Sequence, residues 1–287
     1  MPSIPLAALD LIPMSSGSSP EAALRNTVDL AQAAERFGYR RYWFAEHHLN
    51  PGVLGVSPTV AIALVAGATR TIRLGSAGVQ MGHRTSLSVI EEFGLIDALH
   101  PGRLDLGLGR SIGRSADHRP RSAGNGHDTE QVADNGLLLP KRFDVSRLAG
   151  SPRMVLTLSL LQQPGAYTPP YGEQIQVVLD LLRGTYRSDD GLEAHATPGE
   201  GRGVEVWILG ASGGESAEVA GRHGLRFAAS YHHSPSTVLD AVDSYRSAFR
   251  PSADLDRPYV SVSADVVVAD DDATAAHLAS GYGLWVR

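Results

Sequence analysis

Apolar and polar residues follow two repeating patterns along the first 110 residues of the chain. Short runs that are apolar almost throughout are typical of strands buried on both faces of a sheet. Such runs occur at 4–11, 40–46, 72–80 and 103–109. The stretches between them carry apolar residues three or four positions apart, which is typical of amphipathic helices. This half of the chain is therefore predicted to form strand–helix repeats.

Capping residues help to place the helix boundaries. Ser19 and Ser57 each precede a proline, and a hydroxyl followed by proline at the first helical position is a common helix start. Gly38 is a predicted helix end. A third helix is predicted at 86–99, because its apolar residues share one face and Pro101-Gly102 follows it.

The pattern stops at residues 111–151, which are rich in Gly, Ser, Asp, Asn and Arg. A stretch of this length is typical of a lid, a binding loop or disorder. A helix at 173–184 resumes the pattern. Further strands are predicted at 204–210, 225–231 and 259–268, and further helices at 212–223, at 237–249 and from about Asp271.

The first four βα repeats, which have short connections, predict a parallel sheet with right-handed crossovers, and the whole chain contains seven βα units. The predicted fold class is α/β, a TIM (βα)8-type barrel with an insertion after strand 4 and without an eighth βα unit in these residues. Residues 1–287 are interpreted as one barrel domain, in which 111–170 form an insertion or mobile loop. An open doubly wound sheet, which needs no closing strand, is the alternative.

Composition and charge narrow the functional classes. The net charge of −6 and the pI of about 6.0 argue against a nucleic-acid surface. The chain contains no cysteine, which removes disulfides, a thiolate nucleophile and a cysteine-ligated zinc, and agrees with a reducing compartment. No apolar run approaches the roughly 18 residues of a membrane span. No signal peptide is recognised, so a cytoplasmic protein is expected.

Candidate chemistry gathers where the predicted strands end. In a parallel barrel the carboxyl ends of the strands form the face that carries the active site. Four of five such ends carry titratable side chains, and the other is rich in glycine. The segments are Glu46-His47-His48, Gln80-Met81-Gly82-His83-Arg84, Arg110, Gly210-Ala211-Ser212-Gly213-Gly214 and Tyr231-His232-His233.

Glu46-His47-His48 allows three interpretations. Neighbouring residues on a strand point to opposite faces, so adjacent histidines chelate a metal poorly, and no metal is expected. The alternative without a function is a polar strand end in which one histidine is hydrogen-bonded to the surrounding protein. The favoured interpretation is an acid/base or polarising histidine, because imidazole supplies both tautomers near neutral pH and Glu46 stands beside it as an orienting group.

The glycine-rich segment 210–214 leads into a predicted helix, with Ser212 and Glu215 spaced as a capping box. Free N–H groups and the helix dipole favour an anion there, and Arg110 could reach the same phosphate. An ordinary βα turn is the alternative. The small residues 76–78 would admit a planar ring against the backbone or, alternatively, a tightly packed helix.

Four long segments resemble the bacterial-luciferase-like flavin monooxygenases, and most closely the MsnO-like branch of luciferase-class oxidoreductases. The resemblance rests on their order and spacing over about residues 1–110 and 170–287. The segments are RYWFAEHH, SPTVAIALVAGATRTIRLGSAGVQ, EEFGLIDALHPGRLDLGLGR and VEVWILGASGGESAEVAGRHGLRFAASYHH.

The resemblance implies a barrel that binds reduced FMN at the strand ends, with the deazaflavin F420 as the cofactor of some relatives. It assigns the active-site histidine to His47, with Glu46 beside it. It assigns flavin contacts to Ala77-Gly78, often joined by a cis peptide, and to Met81, Arg110 and the turn Gly210, Ala211, Ser212, Gly213 and Gly214. Trp43, His83, Tyr231 and His232 are weaker candidates for a substrate pocket.

The activity implied is oxygenation of a small organic substrate with O2. No GxGxxG fingerprint follows a strand, so a separate flavin reductase is expected to supply the reduced FMN. A homodimer through the helices at 58–69 and 86–99 is also implied. The rival functions are an F420-dependent oxidoreductase on the same fold and a flavin-binding homologue without catalytic activity.

Overall fold

The computed structural model describes residues 4–110, 129–141 and 152–281, so 111–128 and 142–151 of the predicted insertion lie outside these ranges. Eight parallel strands form the main sheet. They are β1 (Ala7–Asp10), β2 (Arg41–Phe44), β3 (Arg73–Ser76), β4 (Val79–Gln80), β5 (Leu104–Gly109), β8 (Glu205–Gly210), β9 (Arg226–Ser230) and β10 (Val260–Ser263). A separate antiparallel hairpin pairs β6 (Gln131–Val132) with β7 (Leu138–Leu139).

The helix at 152–161, inside the predicted insertion, was not predicted; the other helices connect the strands in the order predicted. The helices are α1 (Pro20–Arg36), α2 (Pro58–Ala66), α3 (Ser86–Leu99), α4 (Pro152–Leu161), α5 (Tyr171–Arg183), α6 (Glu215–Arg222), α7 (Val238–Ala248) and α8 (Asp272–Ala279). A 3-10 turn, Pro235–Thr237, precedes α7. No helix within the described ranges is both long and apolar enough to cross a membrane.

The sheet has the strand order β1-β2-β3-β5-β8-β9-β10, and β4 also pairs with β5. All pairings in this sheet are parallel, as the βα repeats predicted. In the described part of the chain β1 and β10 are the two edges. The predicted α/β class is confirmed. The described residues form seven βα units of a barrel, without an eighth unit to close it.

Several predicted boundaries need correction. Strand β2 ends at Phe44, so Glu46-His47-His48 lies in the loop after the strand. The predicted third strand is divided into β3 and β4 by a cis peptide between Ala77 and Gly78. Helix α6 begins at Glu215 with Gly214 as its cap and without a capping side chain, so the predicted capping box from Ser212 is wrong.

The first helix follows its start signal more closely. Ser19 caps α1 by accepting a hydrogen bond from the N–H of Ala22, 3.2 Å away. Ser57 precedes α2 without a side-chain capping bond. The Ser57 hydroxyl instead forms a hydrogen bond with the Thr59 hydroxyl, 3.2 Å away. The hydroxyl–proline pattern therefore marks both helix starts, although only one uses the hydroxyl as a cap.

Side chains of β2 alternate between two apolar layers, as the pleat of a strand requires. Tyr42 and Phe44 belong to the large core between sheet and helices. Trp43 lies on the other face, where its ring meets that of Trp207 edge-on at 4.9 Å. Trp43 is therefore a component of the inner core of the sheet.

Charged side chains fill the inner face near the amino ends of the strands. Asp105 is fully buried and accepts hydrogen bonds from Arg41, Arg73 and the Trp43 indole at 2.6, 2.8 and 2.8 Å. Glu205 accepts a further bond from Arg41 at 3.0 Å. The network satisfies charges that would otherwise be costly to bury. It leaves the opposite, carboxyl ends of the strands as the face available for a site.

Candidate functional site

Glu46 is the centre of a polar network at the carboxyl ends of the strands. Its side chain is fully shielded from solvent. The carboxylate Oε1 lies 3.1 Å from Nε2 of His48 and 3.1 Å from Nε2 of His83. Oε2 accepts the backbone N–H of Gln80 at 2.8 Å, and the Gln80 amide donates back to the Glu46 carbonyl at 2.6 Å. The loop after β2 is thereby joined to the segment that follows the cis peptide.

Hydrogen bonds and the charge of Arg84 favour the ionised form of Glu46. Burial raises the pKa of the Glu46 carboxyl. The opposite effect is larger, and it comes from hydrogen bonds with His83, Gln80 and His48 and from the charge of Arg84. The pKa therefore lies below its ordinary value. The Arg84 Nε is 3.7 Å from Oε1. Arg84 also bonds Glu92 of α3 at 3.1 Å, which extends the network outward.

Within the described residues, no side-chain hydrogen bond joins His47 to this network. Its side chain is exposed, and its backbone N–H donates to the Gly55 carbonyl at 2.7 Å. The surrounding protein removes enough water to lower the pKa of the imidazole; the charges of His233 and His48 act in the same direction, and Glu46 opposes them. The imidazole is therefore neutral near pH 7.

The predicted orientation of His47 by Glu46 differs from the geometry found. The described side-chain hydrogen bonds of Glu46 reach His48 and His83. Residues two apart in extended backbone share a face, which was the available sequence signal for pairing Glu46 with His48. No signal of this kind pointed to His83 as the other partner of Glu46, because it comes from a different strand end.

His232 follows β9 at the same end of the sheet. Its Nδ1 lies 2.6 Å from the Ser263 hydroxyl of β10. Desolvation lowers the pKa of the His232 imidazole; Asp265 opposes this shift, and the charges of His233 and His47 add to it. The charge of His47 contributes to the shift of His232, and that of His233 to both shifts, so these three histidines lie near one another at this end of the sheet.

Tyr231 is held in place at the same end of the sheet. Its hydroxyl donates to the Leu138 carbonyl of β7 at 2.8 Å, so the end of β9 is attached to the β6–β7 hairpin. Gly82, in the segment after β4, is held in a similar way. Its carbonyl accepts one hydrogen bond from the Gln162 amide and another from the Thr168 hydroxyl, at 2.9 Å. These contacts join residues of the predicted insertion, 111–170, to the predicted site.

The Ala77–Gly78 peptide is cis, as the resemblance implied, and both residues are half-buried. A side chain at Gly78 would approach the Gly107 carbonyl to 2.9 Å, so close packing of β5, rather than of a helix, accounts for the small residue. Ala77 packs against the Trp43–Trp207 layer. Met81 is almost completely buried in the large core, which gives its side chain a packing role.

Arg110 and the start of α6 come together. The Arg110 guanidinium forms an ion pair with Glu215, the first residue of α6. Gly214 has φ 143°, a conformation that side-chain-bearing residues rarely adopt. Gly210 is buried, whereas Ala211, Ser212 and Gly213 are half-buried, and the Thr237 hydroxyl fixes the turn by donating to the Ala211 carbonyl at 2.5 Å.

In the described part of the chain, one group of histidines and carboxylates has metal-ligand spacing: Glu46, His48 and His83, with ligand atoms within 4.8 Å of one another. This triad was not among the groups considered from the sequence. Two histidines and a carboxylate can bind several transition metals. However, Arg84 places a cation beside Glu46 Oε1, and Oε2 already accepts the Gln80 N–H. The surroundings favour a hydrogen-bonded network.

The family model for luciferase-like monooxygenases matches residues 6–130 and 171–286. The chain belongs to this family. A luciferase-like monooxygenase of Escherichia coli is 34% identical over 275 residues, covering 96% of this chain and 70% of the relative. The structure of apo-MsnO8 superposes with a TM-score of 0.75 at 27% identity, over 99% of this chain and 72% of that one.

More distant structures share the fold. The oxygenating constituent of 3,6-diketocamphane monooxygenase from Pseudomonas putida, in complex with FMN, has a TM-score of 0.63 at 16% identity and covers 96% of this chain and 71% of its own. The F420-dependent tetrahydromethanopterin reductase of Methanopyrus kandleri has a TM-score of 0.57 at 14% identity, with coverages of 95% and 69%. The TIM-barrel class is thus established, and the family consists of oxidoreductases.

Proposed function

We propose that this protein is a flavin-dependent monooxygenase that uses reduced FMN and O2 on a small organic substrate. The observation that carries the proposal is His47. This exposed histidine has a pKa below its ordinary value and lies at the carboxyl ends of the strands. A neutral imidazole in this position can accept a proton or donate one during the reaction.

The residues present fit a flavin. The half-buried cis peptide Ala77–Gly78 offers a small, flat surface for a ring. Arg110 and the amino end of α6 offer a guanidinium and helix N–H groups that suit a phosphate. We propose that the ring contacts Ala77–Gly78 and that the phosphate is held by Arg110 and residues 210–214.

When bound, reduced flavin supplies the electrons and the reactivity toward O2. The protein's own contributions are binding, exclusion of water and proton handling. Tyr231, joined to the hairpin, would limit the entry of water. His47 would hold or deliver a proton through its imidazole, and His232 would contact the substrate. His83, whose side chain is 8% exposed and lies 3.1 Å from Glu46, would help to hold the network in place. Glu46 would fix the loop that carries His47 through its bonds to the opposite segment.

We further propose a transient flavin reductase as the source of reduced FMN, a cytoplasmic location and a homodimer. Support for the homodimer comes from exposed apolar side chains on two neighbouring helices, α2 and α3. These are Val60, Leu64, Leu87, Leu95 and Leu99. Contiguous exposed apolar surface often marks a protein interface.

An F420-dependent oxidoreductase is the second candidate, supported by the shared fold of the F420-dependent reductase. In that case His47 would act on an alcohol or a related substrate group. A flavin-binding protein without oxygenase activity is the third candidate, since every feature used above for flavin binding would also be present in it.

The decisive experiment is an anaerobic titration with reduced FMN and, separately, reduced F420, followed by admission of O2. Binding of FMN and substrate-dependent oxygen consumption would support the main proposal. Binding of F420 alone would support the second candidate. Binding of FMN without turnover over a broad substrate panel would support the third, and binding of neither cofactor would contradict all three.

His47→Ala tests the role of the imidazole. We expect nearly unchanged FMN affinity and a fall in turnover of about 100-fold or more, because general acid–base groups typically contribute that much. His195→Ala is the matched control, since His195 is exposed beside Glu200 in the connection between α5 and β8. Equal turnover of the His47 variant and the wild type would exclude a catalytic role.

A further inference from the structure

Arg110 already has an anionic partner from the protein itself. It forms an ion pair with the Glu215 carboxylate, and the two side chains are each 38% exposed. Arg110 comes directly after β5, whereas Glu215 opens α6, so the pair joins two neighbouring strand ends. The buried hydroxyl of Tyr171 donates to the Leu108 carbonyl at 3.0 Å and is close enough to be affected by both charges. Burial raises the pKa of Tyr171, Arg110 opposes this and Glu215 adds to it.

A carboxylate and a phosphate ester compete for the same guanidinium. The carboxylate is planar and the phosphate is tetrahedral, but each can accept hydrogen bonds from two N–H groups of an arginine. A phosphate that approached Arg110 would therefore meet Glu215, which carries the same sign of charge. The first turn of α6 also favours the Glu215 carboxylate through its dipole, so the pair is held from both sides.

We propose that Glu215 is a specificity-determining residue that weakens the preference of the site for phosphorylated over unphosphorylated flavin. This inference rests on the proposed function, in which Arg110 holds the cofactor phosphate. Binding of FMN would exchange one anion for another at Arg110. Riboflavin lacks the phosphate and would leave the Arg110–Glu215 pair intact. The affinity for riboflavin should therefore not depend on this pair.

The size of the effect follows from the exposure of the pair. Ion pairs between half-exposed side chains stabilise a protein weakly. Removing the competing charge should therefore raise FMN affinity by about two- to fivefold, while riboflavin affinity stays constant. A fully buried pair would have produced a much larger change.

The test is a fluorescence titration of the wild type and the Glu215→Gln variant with FMN and with riboflavin. The matched control is Glu218→Gln, which removes the same charge three residues further along α6. Glu218 pairs with Arg222 at 3.1 Å and, among the described residues, with no group of the proposed site. We expect the ratio of riboflavin to FMN dissociation constants to rise in Glu215→Gln and to stay unchanged in Glu218→Gln.

The Arg110→Gln variant completes a double-mutant cycle. In its background, Glu215 no longer competes with the phosphate for a guanidinium and acts on it only through charge repulsion, so the effect of Glu215→Gln on FMN affinity should differ from its effect in the wild-type background. An unchanged or lower FMN affinity of Glu215→Gln would overturn the inference while leaving the proposed function intact. A parallel loss for FMN and riboflavin would overturn it too, by showing that Glu215 contacts the flavin itself. Failure of the wild type to bind FMN would remove the proposed function and this inference with it.

Discussion

The Nε2 atoms of His48 and His83 lie 3.1 Å from the same oxygen of the buried Glu46 carboxylate. One histidine comes from the loop after β2 and the other from the segment after β4, and their rings meet edge-on at 5.2 Å. A single carboxylate thus joins two strand ends of the sheet. His47, between Glu46 and His48 in sequence, is exposed.

Glu46→Gln should lower the free energy of unfolding by about 1–3 kcal/mol, because a buried carboxylate with three hydrogen-bond donors becomes an amide that cannot accept from all of them. Urea denaturation monitored by tryptophan fluorescence would measure the change. Glu92→Gln, at the outer end of the network, is the control and should change stability by less. Equal losses for the two variants would contradict the central role of Glu46.

The same network explains what could be predicted about the site from sequence. Strand ends were predictable because a buried parallel strand reads as an apolar run that stops at polar residues, and β2, β5 and β9 obey this rule. The position of His47 at the carboxyl end of β2 followed from that pattern. The partners of Glu46 did not, because they depend on how the 81–84 segment folds back toward the loop after β2.

Capping was harder to predict than periodicity. Ser19 caps α1, but Gly214 rather than Ser212 precedes α6, because the chain turns for longer after β8 before the helix begins.

The hydrogen-bond network around Asp105 was not predicted from the sequence either. Its members, Arg41, Arg73 and Asp105, sit on three strands, and no one strand carries both a charge and its partner. Only the parallel register brings them together.

Glu35 should make stability depend on pH in the acid range. Its Oε1 accepts the backbone N–H groups of Arg70, Thr71 and Ile72 at 2.9, 2.6 and 2.9 Å. Burial raises the pKa of the Glu35 carboxyl, but these bonds outweigh it and lower the pKa from 4.5 to about 2. The stabilisation is complete above pH 4.5 and is lost as pH falls toward 2.

Thermal denaturation at a series of pH values would test this for the wild type and Glu35→Gln. We expect the variant to be less stable by about 1–2 kcal/mol near neutral pH, after allowance for the solvent exposure of the group. The difference should shrink as the pH falls from 4.5 toward 2. Glu21→Gln is the control, since Glu21 lies in the first turn of α1 and bonds Ser19 at the surface. A difference that stayed constant with pH would contradict the interpretation.

His47 and His195 should titrate on opposite sides of the ordinary histidine pKa of 6.5. Desolvation and the neighbouring histidines lower the pKa of His47. A hydrogen bond to Glu200, followed by the charge of the same residue, raises the pKa of His195. Proton NMR of the imidazole resonances, assigned through His47→Ala and His195→Ala, would measure both values in one sample. A pKa of His47 above that of His195 would contradict this assignment.

Glu46, His48 and His83 should not retain a transition metal, although their ligand atoms lie within 4.8 Å of one another. Arg84, 3.7 Å from the shared oxygen, would have to move aside for a second cation at the same carboxylate. Incubation with Zn2+ or Co2+, followed by dialysis and metal analysis, should find no stoichiometric metal in the wild type. Arg84→Ala removes the competing cation and should increase Co2+ binding. Stoichiometric metal in the wild type that disappears in His83→Ala would show instead that the triad is a metal site, and that Arg84 does not control access to it.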